Sequence, residues 1–142
     1  MSKRVYSEIY FHLNWHTKNS LPLIRPEFER ALYQYLEHKV LGTRGALCHA
    51  IGGIEDHVHL AVTLPPTVAP AEWIGKLKGA SSHHINQLEG PKQLEWHGGY
   101  GIISFGAKDL EWVVEYVLNQ KEHHRTGRIY DRLERAEEEE DG

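Results

Sequence analysis

Two histidines separated by one apolar residue are the first feature of this sequence that could carry chemistry. They are His57 and His59, with Val58 between them. Successive side chains of a β-strand point to opposite faces of the sheet, so both imidazoles would share one face while Val58 points into the core. Short motifs of this kind also occur without a metal. The pair therefore predicts part of a metal site, which still needs a third ligand.

A second group of candidate residues lies in a helical segment near the C-terminal end. Tyr116 and Gln120 are four residues apart, so one lies above the other on a helix. The Gln120 amide oxygen would add a third ligand, and Mg²⁺ or Mn²⁺ would keep open positions for water or a phosphate oxygen. The Tyr116 phenol could then attack phosphorus as a covalent nucleophile. In the plainer alternative, Tyr116 packs at the edge of the core and Gln120 is solvated.

Seven predicted elements must position these residues. The order is strand, helix, strand, strand, helix, strand, helix, from alternation in the strands and apolar spacing in the helices. The predicted elements cover residues 5–15, 26–40, 46–54, 57–64, 70–89, 94–105 and about 108–124. The first six match the split βαβ pattern. We therefore predict an α+β fold: a ferredoxin-like four-stranded antiparallel sheet (βαββαβ) with an extra C-terminal helix that carries the tyrosine.

The composition favours a single intracellular domain. The chain has 142 residues, 40% of them hydrophobic, and one cysteine, which excludes an internal disulfide. No apolar run approaches the roughly 20 residues needed to span a bilayer, and no signal-peptide pattern is present. We expect a cytoplasmic protein without a membrane partner, with one domain over residues 1–130 and an acidic, disordered tail over residues 131–142.

The net charge of −4 is unevenly distributed. From Glu134 to Gly142 the chain holds six acidic residues and one basic residue, and the remainder holds 15 basic and 14 acidic residues. The 11 histidines can add positive charge as the pH falls. The charge therefore neither supports nor excludes a nucleic-acid partner.

In combination, these motifs resemble the single-tyrosine HUH transposase family, and especially its REP-associated tyrosine transposases. The HUH motif (His, bulky hydrophobe, His) corresponds to His57-Val58-His59. The family also has a C-terminal helix with a Tyr, three further residues and then a Gln, which corresponds to Tyr116 and Gln120. Other similar segments are Gly53–Leu60, Ser81-Ser82, Trp96–Gly101 and Glu122–Arg125. The resemblance extends from about residue 5 to residue 125, and the order of the motifs is more specific than any one of them.

The resemblance implies a transposase-like DNA strand transferase that cleaves and rejoins single-stranded DNA. Tyr116 would attack a phosphodiester, leaving a 5′-phosphotyrosine and a free 3′-hydroxyl, and the 3′-hydroxyl of another strand would reverse the step. His57, His59 and Gln120 would bind Mg²⁺ or Mn²⁺. The resemblance also implies homodimers, in which the tyrosine helix can complete the partner's site, and recognition of DNA hairpins.

Basic and aromatic residues elsewhere are candidates for DNA contacts. Cations would bind phosphates, and aromatic rings would stack on unpaired bases. The candidates are Lys3, Arg4, Lys18, Lys76, Lys78, Lys92, Arg125 and Arg128 for phosphates, and Trp15, Trp73, Trp96 and Tyr100 for bases. Each cation also fits a solvated surface charge, and Trp73 fits a core position in its helix.

Two other functions are compatible with the same residues. One is a non-catalytic, domesticated protein that binds DNA hairpins and keeps only the fold. The other is a metal-dependent hydrolase of small phosphoesters, which would not need Tyr116. A covalent protein–DNA adduct would separate the strand transferase from both.

Overall fold

The computed structural model describes residues 5–136 and contains one four-stranded antiparallel sheet. The strands are β1 (Tyr10–His16), β2 (Leu47–Ile54), β3 (His57–Thr63) and β4 (Gly101–Phe105). Their order in the sheet is β2-β3-β1-β4. The helices are α1 (Pro26–Leu41), α2 (Pro70–Glu89), α3 (Leu110–Leu118), α4 (Gln120–Thr126) and α5 (Asp131–Glu134). The predicted α+β fold with ferredoxin-like connectivity is confirmed.

The strands β1 and β4 are shorter than predicted because their pairing with the neighbouring strands ends before the missing residues. β1 begins at Tyr10, which pairs with Thr63 at the end of β3, and the prolines at 65 and 66 cannot continue that ladder. β4 begins at Gly101, after Gly99 with φ 93°. Upstream of that glycine, the loop touches the sheet through an isolated bridge between Trp96 and Thr17.

The main core lies between one face of the sheet and the helices α1 and α2. Val58 and Leu60 of β3 point to this face and are fully buried. Both helices begin with a proline in the first turn, where the missing N–H costs no hydrogen bond. Their buried apolar residues recur at helical spacing and include Phe28, Leu32, Leu36, Val40, Trp73, Ile74, Leu77 and Ile85. The side-chain pattern of β3 therefore places the neighbouring histidines on the opposite face.

The helices α3, α4 and α5 cover that opposite face. Val113 and Val117 of α3 pack on Ala50 and Ala61 in a second, smaller core. The close approach depends on Gly52, because a Cβ atom at this position would lie 2.0 Å from the carbonyl oxygen of Val117.

The predicted C-terminal helix over 108–124 is interrupted at Asn119. This residue has φ −109° and ψ 33°, and its side-chain amide donates to the carbonyl of Glu115 at 2.9 Å. Asparagine competes with helical backbone bonding in this way. The break separates α3, which carries Tyr116, from α4, which begins at Gln120.

The first residues of the predicted acidic tail fold back on the sheet. Leu133 of α5 is 4% exposed, and the Asn14 side chain donates to the carbonyls of Leu133 and Arg135 at 3.0 and 2.9 Å. Residues 137–142 lie outside the described part, so the boundary at residue 130 and the disorder of the tail remain predictions. No helix within residues 5–136 combines the length and the apolar character needed to cross a membrane.

Replacing Gly52 with alanine should destabilise the fold. The new methyl group would meet the Val117 carbonyl, so we expect the free energy of unfolding to fall by about 1–3 kcal/mol, the usual cost of overpacking. Gly75→Ala is the matched control, because its Cβ meets open space inside the exposed part of α2 and should raise stability by about 0.5–1 kcal/mol. Urea denaturation of both variants measures the difference, and equal stabilities would contradict the packing of α3 on β2.

Candidate active site

His57 and His59 lie side by side on the face of β3 that α3, α4 and α5 cover. They are 3% and 0% exposed, and their ring centroids are 4.8 Å apart. β1 runs next to β3, and its His16 and Asn14 pair with His57 and His59 respectively. Side chains of the two central strands therefore form the floor of the site.

A different partner orients each of these imidazoles. Nδ1 of His57 lies 2.7 Å from Oδ1 of Asp56, and Nδ1 of His59 lies 2.8 Å from Nε2 of His12. With Nδ1 engaged, Nε2 of each ring faces the centre of the site. Hydrogen bonds of this kind fix the tautomer and orientation of metal-binding histidines.

The environments give the histidines opposite protonation tendencies. Burial alone would lower the pKa of His57, but the carboxylates of Asp56 and Glu134 raise that pKa to about 9. Burial lowers the pKa of His59 to about 4 and that of His12 to about 3. His59 is therefore neutral at pH 7, the form in which an imidazole can bind a metal ion.

Tyr116 of α3 lies against the histidine pair within the same chain. It is fully buried, and its ring stands edge-on to His59 with a centroid distance of 5.8 Å. Its Oη atom donates to Oε2 of Glu134 and accepts from the backbone N–H of Tyr130 at 3.2 Å. Burial and the Glu134 carboxylate raise the pKa of Tyr116, so the phenol is protonated at neutral pH.

Gln120 is buried and structurally engaged, which differs from the solvated alternative. It is 1% exposed, and its Nε2 donates to the Tyr116 carbonyl at 3.0 Å. Its Oε1 lies 3.1 Å from Nε2 of His124. The amide oxygen that the sequence suggested as a ligand therefore borders the site through His124.

Two residues at the centre of the site, His124 and Glu134, were not among the site residues predicted from the sequence. Oε1 of Glu134 lies 3.2 Å from Nε2 of His57 and 3.3 Å from Nε2 of both His59 and His124. Burial would raise the pKa of Glu134, but the neighbouring imidazoles of His57 and His59 outweigh burial and lower that pKa. His124 had a usable signal, because it follows Gln120 by four residues.

These four side chains fit a divalent cation. One ligand atom from each of His57, His59, His124 and Glu134 lies within 4.8 Å of all the others. Bonds of 2.0–2.1 Å to a four-coordinate ion separate its ligands by roughly 3.3–3.4 Å, close to the three distances from the Glu134 oxygen. Among the described residues, the buried Nε2 atoms of His57 and His59 also make no hydrogen bond of acceptable geometry.

The proposed base-stacking tryptophans are mostly committed to the fold. Trp15 is fully buried, and Trp73 is 9% exposed with its Nε1 donating to Thr43. Trp96 packs edge-on against Trp15 and donates to Ser81. Tyr100 is half-buried against the main core.

The basic candidates are dispersed around the molecule. Lys78 donates to the carbonyls of His97 and Gly99 at 2.7 and 2.8 Å, so it holds the loop before β4. The side chains of Lys18, Lys76 and Arg125 are all mostly exposed, and each forms an ion pair with a glutamate: Glu95, Glu72 and Glu122 respectively. Of the remaining candidates, Lys92 and Arg128 are exposed, and Lys3 and Arg4 lie outside the described residues.

Comparisons with known proteins place this fold in one family. Residues 5–120 match the family model described as transposase IS200 like. The transposases for insertion sequence element IS200 of Salmonella typhimurium strain LT2 and of Salmonella typhi are both 27% identical over 78 residues. The match covers 51% of this chain and 51% of each relative, so the chain spans about half the length of these curated relatives.

Two solved structures share the fold. A candidate transposase from Deinococcus radiodurans has a TM-score of 0.65 at 21% identity, over 84% of this chain and 97% of that one. A REP-associated tyrosine transposase bound to a REP hairpin has a TM-score of 0.58 at 18% identity, over 91% of this chain and 75% of that one.

The family match contains every strand of the sheet as well as His57, His59, Tyr116 and Gln120. Because it covers well over half of the sequence, this chain belongs to the IS200-like, single-tyrosine transposase family.

Proposed function

We propose that this protein cleaves and rejoins single-stranded DNA through a 5′-phosphotyrosine on Tyr116. The observation that carries the proposal is the placement of the Tyr116 ring 5.8 Å from His59, inside one chain and beside a cluster suited to a cation. A phenol next to a metal-binding cluster suits covalent attack on a phosphodiester. A hydrolase of small phosphoesters would have no use for this tyrosine.

The cation would be held by His57 and His59 together with groups that α4 and α5 supply. His124 and Glu134 are the nearest candidates, and Gln120 lies next to them. Such an ion would polarise the phosphoryl group as a Lewis acid. A donor set rich in imidazole nitrogen suits Mn²⁺ better than Mg²⁺, which is usually bound through carboxylates and water.

The hydrogen bonds on Tyr116 indicate how the chain handles the reacting oxygen. In the forward step the phenol loses its proton and its oxygen bonds to phosphorus, while the bond from phosphorus to the 3′ oxygen breaks and that oxygen takes up a proton; the net result is the transfer of one proton from the phenol to the 3′ oxygen. In the reverse step the oxygen of an incoming 3′-hydroxyl bonds to phosphorus, the bond from phosphorus to the tyrosine oxygen breaks, and the proton of the hydroxyl returns to the phenol. The backbone N–H of Tyr130 points at Oη and would stabilise the phenolate whenever it forms. Glu134 aims the phenol into the site.

Hairpin DNA is the substrate that we propose. The support is the family and the likeness in fold to the REP-associated transposase bound to a REP hairpin. The exposed residues Lys18, Lys76 and Arg125 would contact phosphates of the DNA. Trp96 and Tyr100 are half-buried, so only part of each side chain is accessible to a base. We further propose a homodimer, following the family resemblance, and note that the contact between Tyr116 and His59 within one chain supports a site assembled in cis.

Replacing Tyr116 with phenylalanine should abolish cleavage and leave DNA binding intact. The ring still fills its buried position, but no oxygen remains to bond phosphorus. A labelled single-stranded hairpin oligonucleotide incubated with Mn²⁺ and analysed by denaturing gel would show a covalent adduct for the parent protein and for the control below, and none for the Tyr116 variant. Tyr35→Phe is the matched control, since Tyr35 stacks on His84 away from the site. An adduct with the Tyr116 variant would refute the assignment, and binding without any adduct in the parent protein would favour the non-catalytic hairpin binder.

The third metal ligand can be identified by Mn²⁺ titration. We expect the double change His57→Ala and His59→Ala to abolish binding in a calorimeter, and Glu134→Gln to weaken it at least about tenfold because the carboxylate charge is lost. Gln120→Leu tests the ligand that the family resemblance implies. His49→Ala is the control, because His49 bonds to Thr63 outside the cluster.

Each outcome of this titration is informative. A large loss with Gln120→Leu and none with Glu134→Gln would exclude the Glu134 assignment. Unchanged Mn²⁺ affinity in the double histidine variant would exclude a metal role for the pair.

A further inference from the structure

An exposed aromatic pair lies beside the tyrosine site and outside both hydrophobic cores. Trp112 of α3 is 41% exposed, and Tyr130, between α4 and α5, is 52% exposed. Their ring centroids are 5.2 Å apart, with the planes tilted by 51°. Large aromatic side chains that remain in water next to a reactive group indicate a binding surface.

This pair is continuous with the nucleophile. The Tyr130 ring packs against the Tyr116 ring at a centroid distance of 5.1 Å and an angle of 73°. The backbone N–H of Tyr130 reaches the Tyr116 hydroxyl at 3.2 Å. The pair therefore lies on the exposed side of the buried Tyr116 ring, where a nucleotide that flanks the reacting phosphodiester would pass.

Two arginines close to Tyr130 in the sequence suit the phosphates of a nucleotide. Arg128 and Arg132 flank Tyr130 two residues away on either side and are exposed, with Asp131 as the one acid between them. Guanidinium groups bind phosphate oxygens, while aromatic rings stack on bases. Stacking accepts any unpaired base, because every base has a π face.

We propose that Trp112 and Tyr130 form a stacking site for the unpaired base next to the scissile phosphate. The ligand is a base of single-stranded DNA, held by its face rather than by its edge. The proposal rests on the proposed function for the position of the phosphate, and it adds a part of the substrate that the catalytic residues do not contact.

The test compares oligonucleotides that differ only in their bases. Fluorescence anisotropy would measure the affinity of a labelled oligothymidylate and of an abasic oligonucleotide of equal length, in EDTA and on a Tyr116→Phe background so that no cleavage occurs. We expect the parent to prefer the thymidylate. Trp112→Ala and Tyr130→Ala should each reduce that preference about 5- to 100-fold, as expected for one lost stacking contact.

Further readouts separate stacking from a structural or electrostatic role. Trp112→Phe should keep the preference, and the slope of affinity against salt should not change in Trp112→Ala, because no phosphate contact is removed. Tyr6→Ala, at a residue that is 87% exposed and bonded to Glu8, is the control and should match the parent.

Three results would overturn the stacking site. The first is a parent protein that binds the thymidylate and the abasic oligonucleotide with equal affinity. The second is an equal loss of affinity for both oligonucleotides in the alanine variants. The third is an alanine variant whose oligomeric state, measured by light scattering, changes while its preference for the thymidylate is kept. The last would make the pair an interface between copies of this chain. A missing covalent adduct together with an intact base preference would refute the cleavage reaction and leave the stacking site standing.

Discussion

The alternation of side chains along β3 is the constraint on which the rest of the structure depends. Val58 and Leu60 must face the core under α1 and α2, so His57 and His59 must face the other side of the sheet. Buried imidazoles on a sheet face need a cover that also supplies polar partners. The chain after β4 provides that cover, and its side chains therefore complete the site.

The segment from α3 to α5 can pack closely on the sheet because two glycines have no side chain that would clash with its backbone. The backbone of Val117 in α3 approaches Gly52. The carbonyl oxygen of Arg135 approaches Gly101 so closely that a Cβ atom at this position would lie 1.7 Å from it. Asn14, on the central strand β1, then holds the segment around α5 by two hydrogen bonds. These contacts bring groups from both ends of the sequence into one small volume.

Burial also sets the electrostatics of this volume. Two carboxylates favour the charged form of His57, whereas burial keeps His59, which lies next to His12, neutral. Glu134 contacts histidine nitrogens with one oxygen and the Tyr116 hydroxyl with the other. The proposed nucleophile and the proposed cation site are thus linked through a single carboxylate.

The sequence by itself determined the order of elements, the shared face of the histidine pair and the spacing of Tyr116 and Gln120, because these follow from periods of 2 and 3.6 residues. Tertiary structure alone decided which distant groups join them. No local pattern distinguishes Glu134 from the other acids near the C-terminus, since its position depends on the burial of Leu133 and on the bonds from Asn14. Long-range packing of this kind leaves no periodic trace in the sequence.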